Sequence, residues 1–412
     1  MKIFAALGLL ASGFLPGYPA LAQNVNSHPP ITIQSNSDFT NCACVTGGMG
    51  TQANPYIIGP WAINTGGGVA VTVNGTNVTA SFVLNNLKIS GTSKGTDTGI
   101  VFNHINPEGT QTIIAEVYGS QTSIQNTNVA ILVENSTYVV LEGAGESANG
   151  PGVGNNGAGT LNGNLSGAID IEISSHVSIK GWQLSANGLD KDPDYIAFNP
   201  AVQYWGVGGV RFFGVTSSVI DHNSSNNDTD LSYGLFNSSY NQVTYNTADY
   251  PYTHNILVID GSSYNTISNN NTGTGDYFNI MVGDPLPGTA TLAAYGASHD
   301  NVISNNLNHT AGPTGHEIKA NIVPGFLGGI VLLNGTYNNQ VLNNQDWANT
   351  GADLVWAQAV PASTPIGVVT YQGTPLNCNV TASEGGGGVG NLNGNVWKGN
   401  TYQKIAPCLP AQ

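Results

Sequence analysis

The sequence predicts an all-β protein with the parallel β-helix fold, in which short strands stack coil upon coil along one axis. Two observations carry this prediction: an internal repeat with a step of 24 residues, and short apolar runs without a sustained 3.6-residue period. The composition agrees, because 8% of charged residues is too few for long solvated helices. The 40% of hydrophobic residues is too many for a disordered chain.

Four segments of the chain carry the clearest copies of the repeat. They begin at Ser238, Ser262, Ala297 and Gly335. The step from Asn241 to Asn265 is 24 residues, and the next step, to Asn301, is 36, which indicates a coil with an inserted loop. A short apolar run precedes nearly every copy. Each repeat is therefore predicted as strand, tight polar turn, strand and polar loop.

Glycine and asparagine dominate the composition, with 54 and 51 residues. Both tolerate the left-handed backbone of tight turns, and asparagine side chains bond readily to nearby backbone groups. We therefore expect asparagines to stack at the turns of successive coils while apolar side chains point inward.

The chain begins with the pattern of a secretory signal peptide. One basic residue, Lys2, precedes a short apolar run that reaches Ala20-Leu21-Ala22, so cleavage is expected after Ala22. A membrane anchor is the alternative, but the run is shorter than the ~20 residues that a span needs, and no later segment reaches that length. The mature chain is expected to be soluble and secreted, whether extracellular, periplasmic or on the cell surface.

Charge narrows the expected partners. Lysine and arginine total 9 against 24 aspartates and glutamates, which gives a net charge of −15. A chain with so few cations neutralises few phosphates, so neither nucleic acid nor an anionic membrane is expected to bind it.

Four cysteines are present. An oxidising compartment favours disulfides, and a bridge between Cys378 and Cys408 is the first expectation. Cys42 and Cys44 are one residue apart, which strains a bridge between them, and such a pair can instead bind a soft metal.

The start of the mature chain carries a resemblance to a known family. Residues 50–58, GTQANPYII, resemble the lead-in of NosD-like right-handed β-helix surface and periplasmic proteins. The repeats are similar to the broader pectin-lyase-like class of carbohydrate-binding and sugar-hydrolase β-helices, and the resemblance covers roughly residues 31–353. It implies a right-handed coil. A NosD-like role in copper-site maturation is implied too, although 3 methionines and 8 scattered histidines offer no evident copper site.

These patterns divide the chain into four parts. They are a signal peptide (1–22), an N-terminal lead-in and cap (23–64), a parallel β-helix with loop insertions between coils (65–360) and a C-terminal cap segment (361–412).

Acidic residues recur at one phase of the repeat, in the loop before the next apolar run. They are Asp190, Asp230, Asp249, Asp276, Glu317 and Asp353. Residues 185–190 and 225–230 align at an offset of 40, which predicts that Asp190 lies near Asp230.

Two carboxylates held ~6.5–9.5 Å apart could act as acid and base in inverting glycoside hydrolysis. The candidate catalytic carboxylates are Asp228, Asp230 and Asp276, and Asp190 and Asp249 are candidate substrate-binding residues. The alternative is that exposed aspartates only cap turns and keep the protein soluble.

Arg211 is the only arginine in the chain. Alternation with Val210 and Phe212 directs its side chain outward, where it could clamp a uronate carboxylate or act as a lyase base. An ordinary salt bridge to a nearby aspartate is the alternative. His254 is a candidate general base, and a solvated loop histidine is the alternative for it.

Aromatic residues near the acidic loops are candidate sugar-stacking groups. They are Tyr195, Tyr204 and Trp205, in the loop before the Arg211 strand, and Tyr252. Such residues also serve to fasten loops onto the body of a β-helix.

The sequence thus favours a secreted protein that binds or processes extracellular polysaccharide along one acidic, aromatic-bearing outer face. A hydrolase or lyase that uses the loop aspartates is the first alternative, and a NosD-like periplasmic metal-handling factor is the second. No cofactor is predicted, with calcium left open.

Overall fold

The structure is a computed structural model of the 412-residue chain. It describes residues 25–92, 96–107, 109, 113–143, 159–188, 208–229, 231–251, 254–275, 278–283, 296–310, 328–333, 336–348, 354–357 and 394–402.

Three long sheets run along the axis of the molecule. Sheet 1 contains Ile31–Ile33, Val69–Asn74, Thr98–Asn103, Val129–Glu134, Gly167–Glu172, Gly208–Phe213, Leu231–Phe236, His254–Ile259, Phe278–Val282, Gly328–Leu333 and Leu354–Ala357. Sheet 2 contains Val45–Gly47, Tyr56–Ile58, Phe82–Asn85, Ala115–Tyr118, Val139–Glu142, Ser178–Lys180, Val219–Asp221, Gln242–Thr244, Thr266–Ser268, Val302–Ser304, Gln340–Leu342 and Val396–Lys398. Sheet 3 contains Asn26–Ser27, Trp61–Asn64, Lys88–Ser90, Ser123–Gln125, Thr160–Asn162, Gln183–Ser185, Ser224–Asn226, Thr247–Asp249, Asn271–Gly273, Leu307–His309 and Gln345–Trp347.

Each full coil supplies one strand to sheet 1, then one to sheet 2, then one to sheet 3. Neighbouring strands within a sheet are parallel, apart from Val45–Gly47, which runs antiparallel to Tyr56–Ile58. Crossovers between parallel strands are right-handed. The fold is the right-handed parallel β-helix that the sequence predicts, and the predicted repeats are its coils.

Both predicted caps contain strands of the solenoid. Residues 26–64 contribute strands to all three sheets and also form the short helix Asn36–Asn41. Asp38 accepts a hydrogen bond from the Ser35 N–H at 2.8 Å, which closes the start of that helix. At the other end, Val396–Lys398 extends sheet 2 by pairing with Gln340–Leu342.

Side chains that hold the same position in successive coils form rows, and these rows fill the interior. One such row consists of residues that pair with each other along sheet 2, all of them buried: Ile58, Leu84, Val117, Leu141, Ile179, Ile220, Val243, Ile267, Ile303, Val341 and Trp397. Each side chain therefore packs on its counterparts in the coils below and above, which is why an apolar residue recurs at this phase of the repeat.

Buried polar side chains lie at the corners and, in the later coils, also within the strands, for example Asn255 and Asn279 in sheet 1 and Thr272 and Asn308 in sheet 3. We call the connection from sheet 1 to sheet 2 the first turn, that from sheet 2 to sheet 3 the second turn, and that from sheet 3 to the next coil the third turn. Buried asparagines form a ladder in the first turn, namely Asn241, Asn265, Asn301, Asn339 and Asn395, and in the second turn, namely Asn223, Asn246, Asn270, Asn306, Asn344 and Asn400.

Asn265 shows how completely the ladder uses each amide. Its side-chain oxygen accepts a hydrogen bond from the Asn241 N–H at 2.9 Å. Its side-chain nitrogen donates to Oδ1 of Asn301 and to the carbonyl oxygen of Ser238, both at 2.9 Å. The ladder thus satisfies the buried backbone groups that the corners leave without sheet partners.

We expect Asn265→Ala to lower the free energy of unfolding by roughly 2–3 kcal/mol, because it removes three buried hydrogen bonds and leaves the Asn241 N–H without an acceptor. Asn271→Ala, on the partly exposed face of sheet 3, is the matched control and should cost less than about 1 kcal/mol. Urea unfolding of both variants measures the difference. Equal losses in the two would contradict the role given to the ladder.

Candidate functional site

Most of the predicted site residues fall outside the part of the chain that the structure describes. They are Asp190, Tyr195, Tyr204, Trp205, Asp230, Tyr252 and Asp276, together with the predicted disulfide partners Cys378 and Cys408. The roles given to them stay predictions.

Asp228 is placed in the interior, not on a loop surface. It is fully buried and extends a short third-turn ladder that begins with Asn164 and Asn187. Its Oδ1 accepts hydrogen bonds from the backbone and side-chain nitrogens of Asn187 at 2.9 and 2.7 Å. Its Oδ2 accepts one from the Ser225 hydroxyl at 2.6 Å. A carboxyl group in this position does not contact a polymer.

The burial of Asp228 corrects the predicted alignment. Asn187 lies beside Asp228, and Ser185 pairs with Asn226, so the offset between these coils is 41 and not 40. A shift of one residue exchanges inward and outward side chains along a β-strand. Asp228 therefore takes the place of a ladder asparagine.

Asp249 is the last residue of the sheet 3 strand Thr247–Asp249 and is half-buried. Its carboxylate accepts a hydrogen bond from the Tyr250 N–H at 3.1 Å. Because Asp249 points outward and Asp228 inward, the two do not form an acid–base pair across a surface groove.

Arg211 lies on the outer face of sheet 1, as its alternation with Val210 and Phe212 predicts. Its Nε donates to Oδ1 of Asp170 at 2.9 Å, and its Nη2 donates to Oδ2 of Asp170 and to Oε1 of Glu172, the latter at 2.9 Å. Burial, and then Asp170, raise the pKa of Glu172. The guanidinium is engaged by two carboxylates of the preceding coil, which is the salt-bridge alternative and leaves it poorly placed to clamp a uronate.

His254 begins a sheet 1 strand and does not lie in a solvated loop. Its ring packs against Phe278 with the centroids 5.6 Å apart. Burial lowers the pKa of His254 to about 3, so the imidazole is neutral near pH 7. A group with so low a pKa accepts a proton poorly at neutral pH, which makes His254 a weak general base.

Two buried carboxyl groups were not singled out from the sequence. Glu116 lies on the outer side of sheet 2. Burial, followed by the charge of Glu142, raises its pKa to about 7. Burial raises the pKa of Asp260 to about 7 at the start of a first turn. Alternation with Ala115 and Val117 marks Glu116 as outward, but nothing in the sequence shows that it is covered.

A column of exposed and half-buried rings lies at the first turn, and we call it the aromatic row. Its members are Tyr138, His176, Tyr240, Tyr264, His299 and Tyr337. Sequence reasoning missed the row, although Tyr240 and Tyr264 stand inside the repeats. The signal was their phase, because each immediately precedes a ladder asparagine.

Rings in neighbouring coils of the aromatic row contact each other. The centroids of Tyr240 and Tyr264 are 5.0 Å apart with planes 4° from parallel, and those of His299 and Tyr337 are 4.5 Å apart at 11°. Tyr264 meets His299 edge-on at 5.4 Å, and Tyr138 meets His176 at 4.6 Å. From Tyr240 to Tyr337, in the C-terminal coils, each ring of the row therefore contacts the next one, either face to face or edge to face.

The backbone at the row is unusual for such bulky residues. Tyr138, His176, Tyr240 and Tyr264 all have positive φ, between 54° and 62°. The left-handed conformation costs an ordinary L-residue roughly 1–2 kcal/mol, and glycine or asparagine takes it most easily. The second turn holds His222 and Tyr245 at the matching position, followed by Asn269, Asn305, Asn343 and Gly399, and the first turn continues with Asp300, Asn338 and Gly394.

Polar groups border the aromatic row. Side-chain hydroxyls lie beside the row on its sheet 1 side. The hydroxyl oxygens of Thr137 and Ser175 are 3.2 Å apart, and those of Ser239 and Ser263 are 3.1 Å apart. Nδ1 of His299 is 2.7 Å from Oδ2 of Asp300, and the Asp300 carboxylate raises the pKa of the Tyr264 hydroxyl. The row thus combines apolar faces with donors and acceptors along its edge.

Metal ligands are not grouped in the described part of the chain: no set of three or more His, Cys, Asp or Glu side chains there could hold an ion. The Sγ atoms of Cys42 and Cys44 lie 2.02 Å apart, at the distance of a disulfide. No helix among the described residues is both long and apolar enough to cross a membrane.

No protein-family model and no curated protein sequence matches the chain. Similar solved structures include the Dettilon tailspike protein gp208, with 12% identity and a TM-score of 0.36 over 72% of this chain and 56% of that one. They also include the DFA-IIIase from Arthrobacter chlorophenolicus A6 without its lid in complex with GF2 (11%, 0.40, 73% and 75%) and the periplasmic alginate epimerase AlgG (9%, 0.36, 76% and 74%). The chain spans little more than half of the tailspike protein. At these values the likeness carries no argument about activity.

We expect Asp228→Asn to make the protein more stable at pH 8 by roughly 1–3 kcal/mol and to change little at pH 4. Burial raises the pKa of Asp228 to about 6, so the native state keeps a proton between pH ~4 and ~6 that the unfolded chain releases, and stability falls as pH rises through that window. The asparagine amide fits the ladder without charge. Denaturant unfolding at both pH values measures the effect, with Asp249→Asn as the outward control. A loss of stability at pH 8 would refute this account of Asp228.

Proposed function

We propose that this protein binds extracellular polysaccharide along the aromatic row. The single observation that carries the proposal is the run of exposed rings at the first turn, several of them on bulky residues in a costly left-handed conformation. Among the described residues, the second turn holds one such pair of rings, His222 and Tyr245, whereas the first turn carries rings in six coils. The extent of the row is what suits a polymer.

The dimensions of the row suit a polymer. From the Tyr138 coil to the Tyr337 coil there are six coil steps, and at ~4.8 Å per step the row is roughly 29 Å long. The step is close to the length of one sugar residue in an extended glycan. A chain that runs parallel to the solenoid axis can therefore meet successive rungs with successive residues.

The chemistry of the row also suits sugars. Pyranose rings carry C–H surfaces that pack on aromatic faces, and hydroxyl groups that bond to side-chain oxygens. Tyr240, Tyr264 and Tyr337 supply exposed aromatic surface, and the Asp300 carboxylate and the neighbouring serine hydroxyls supply partners for sugar hydroxyls.

Charge favours a neutral polysaccharide. The net charge of −15 repels polyanions at low salt. Arg211, the one arginine of the chain, is engaged by Asp170 and Glu172 and offers little to a uronate.

Export to the cell surface, periplasm or medium belongs to this proposal, since the signal-peptide pattern of residues 1–22 supports it. Hydrolysis or lyase chemistry by Asp230 and Asp276 stays a separate prediction, as do bound calcium and the NosD-like metal-handling role. No observation on the described residues favours these over binding.

We expect the double variant Tyr240→Ala/Tyr264→Ala to bind the retained polysaccharide roughly 30-fold more weakly, because it removes two stacking rings worth ~1 kcal/mol each. The measurement is retention on cellulose, chitin, xylan, alginate and pectate, followed by titration of the retained polymer.

Tyr245→Ala is the matched control, because Tyr245 is also an exposed tyrosine with positive φ but lies at the second turn. It should bind as the unmodified protein does. If Tyr245→Ala weakens binding as much as the double variant, or if the double variant binds normally, the row is not the binding surface. Failure of the unmodified protein to bind any glycan of a broad panel would refute the function itself.

A further inference from the structure

One coil in the middle of the aromatic row supplies no ring, and we call its position the empty rung. Ser217 occupies, in its own coil, the turn position that His176 holds in the coil below and Tyr240 in the coil above. Their N–H groups make equivalent hydrogen bonds: His176 to Thr216 at 3.1 Å, Ser217 to Ser239 at 3.2 Å and Tyr240 to Ser263 at 3.1 Å. All three residues are left-handed, with φ of 54°, 54° and 62°. A short exposed side chain thus replaces a ring in the middle of the row.

The empty rung leaves a slot of the right height for one ring. Neighbouring rungs are ~4.8 Å apart, so His176 and Tyr240 are ~9.6 Å apart along the axis. A ring in van der Waals contact with both needs ~3.5–4.0 Å on each side, or ~7–8 Å in all. The slot therefore holds one ring and is too small for two.

The solvent exposure of the residues around the slot indicates that solvent, and therefore a ligand, can reach it. Tyr240 is 59% exposed, more than Tyr264 at 47% and Tyr337 at 37%. The face of Tyr240 toward Tyr264 is stacked, so the excess lies on the side of Ser217. Ser217 and Thr216 are exposed as well, so the base of the slot is polar and reachable from solvent.

The slot has aromatic walls, His176 and Tyr240, and a polar base, and these determine which chemical group fits. A pyranose with equatorial hydroxyls carries C–H bonds on both faces, which suits two facing aromatic walls, and hydroxyls around its edge, which suit the Ser217 and Thr216 oxygens. To enter, the ring must turn across the axis. A residue linked on both sides within a chain that lies along the row cannot turn in this way.

We propose that the gap at Ser217 is a sugar-ring slot that takes a residue attached to its polymer through one linkage only, either a chain end or a single-residue branch. This inference rests on the proposed function, and it adds a selectivity for ends or branches that the row alone does not have. The two sources share the same ring chemistry and are separated by the choice of probe.

The test fills the slot. Ser217→Tyr supplies the missing rung in the conformation that Tyr240 already adopts. The probes are six-residue linear oligosaccharides of cellulose, chitin and xylan, which are rich in ends, galactomannan, which has single-residue branches, and the long linear polymers. We expect Ser217→Tyr to bind either the oligosaccharides or galactomannan at least ~10-fold more weakly, while long linear polymer is bound equally or more tightly because the row becomes continuous.

Asn269→Tyr is the matched control, since it adds a tyrosine above Tyr245 at a left-handed second-turn position without touching the slot. It should leave every titration unchanged. His176→Ala, which removes one wall of the slot, should weaken binding of the affected oligosaccharides or galactomannan more than binding of the long linear polymer, for which His176 is one ring of the row among six. That difference keeps the test decisive if Ser217→Tyr does not fold.

The outcomes separate the two claims. Normal binding of every probe by Ser217→Tyr and by His176→Ala, with weak binding by Tyr240→Ala/Tyr264→Ala, overturns the slot and leaves the proposed function standing. Equal weakening of oligosaccharides, branched polymer and long linear polymer by Ser217→Tyr also overturns the slot. Absence of binding by the unmodified protein to all probes overturns both.

Discussion

Buried amide hydrogen bonding at the corners of the solenoid is the constraint on which the rest of the structure depends. Each corner turns backbone groups away from the sheets, and a dry interior offers them no water. Asn265 and its equivalents supply the missing partners coil after coil. To turn its amide inward, each ladder residue follows a residue with positive φ, such as Tyr264 before Asn265.

The aromatic row is a consequence of the same geometry. A residue that precedes a ladder asparagine must project from the corner, and the ladder holds successive corners in line at the strand spacing. Any side chain placed there is therefore aligned with its counterparts above and below. At this position the first turn holds Tyr240 and Tyr264, and then Asp300 and Asn338 in the following coils, where the rings of the row, His299 and Tyr337, lie one residue earlier in the chain.

Much of the fold could be predicted from the sequence because the same environment recurs. Asn241, Asn265 and Asn301 occupy one position in successive coils, so their spacing reveals the coil length and the inserted loop. Arg211 was correctly expected to face outward, since its neighbours Val210 and Phe212 are core residues. What alternation cannot show is which partner an outward charge finds in the coil below, here Asp170 and Glu172.

The candidate site was harder to predict, for two physical reasons. Asp228 was expected to be a surface carboxylate although it is a ladder residue, because polar side chains serve both inside and outside a corner, and the alignment of its coil was wrong by one residue. The exposed tyrosines were hidden by the opposite problem. Tyr240 and Tyr264 stand in the most regular part of the repeat, where regularity was attributed to structure alone, and only the positive φ shows that their rings point to solvent.

The most direct test of glycan binding on the aromatic row is hydroxyl-radical footprinting of the protein with and without the polysaccharide that it retains. Protection measures the loss of solvent contact at each tyrosine. The account predicts that Tyr240, Tyr264 and Tyr337 become protected while Tyr245, exposed at the second turn, reacts as before. Equal reactivity of the row tyrosines in the two states, or equal protection of Tyr245, would contradict it.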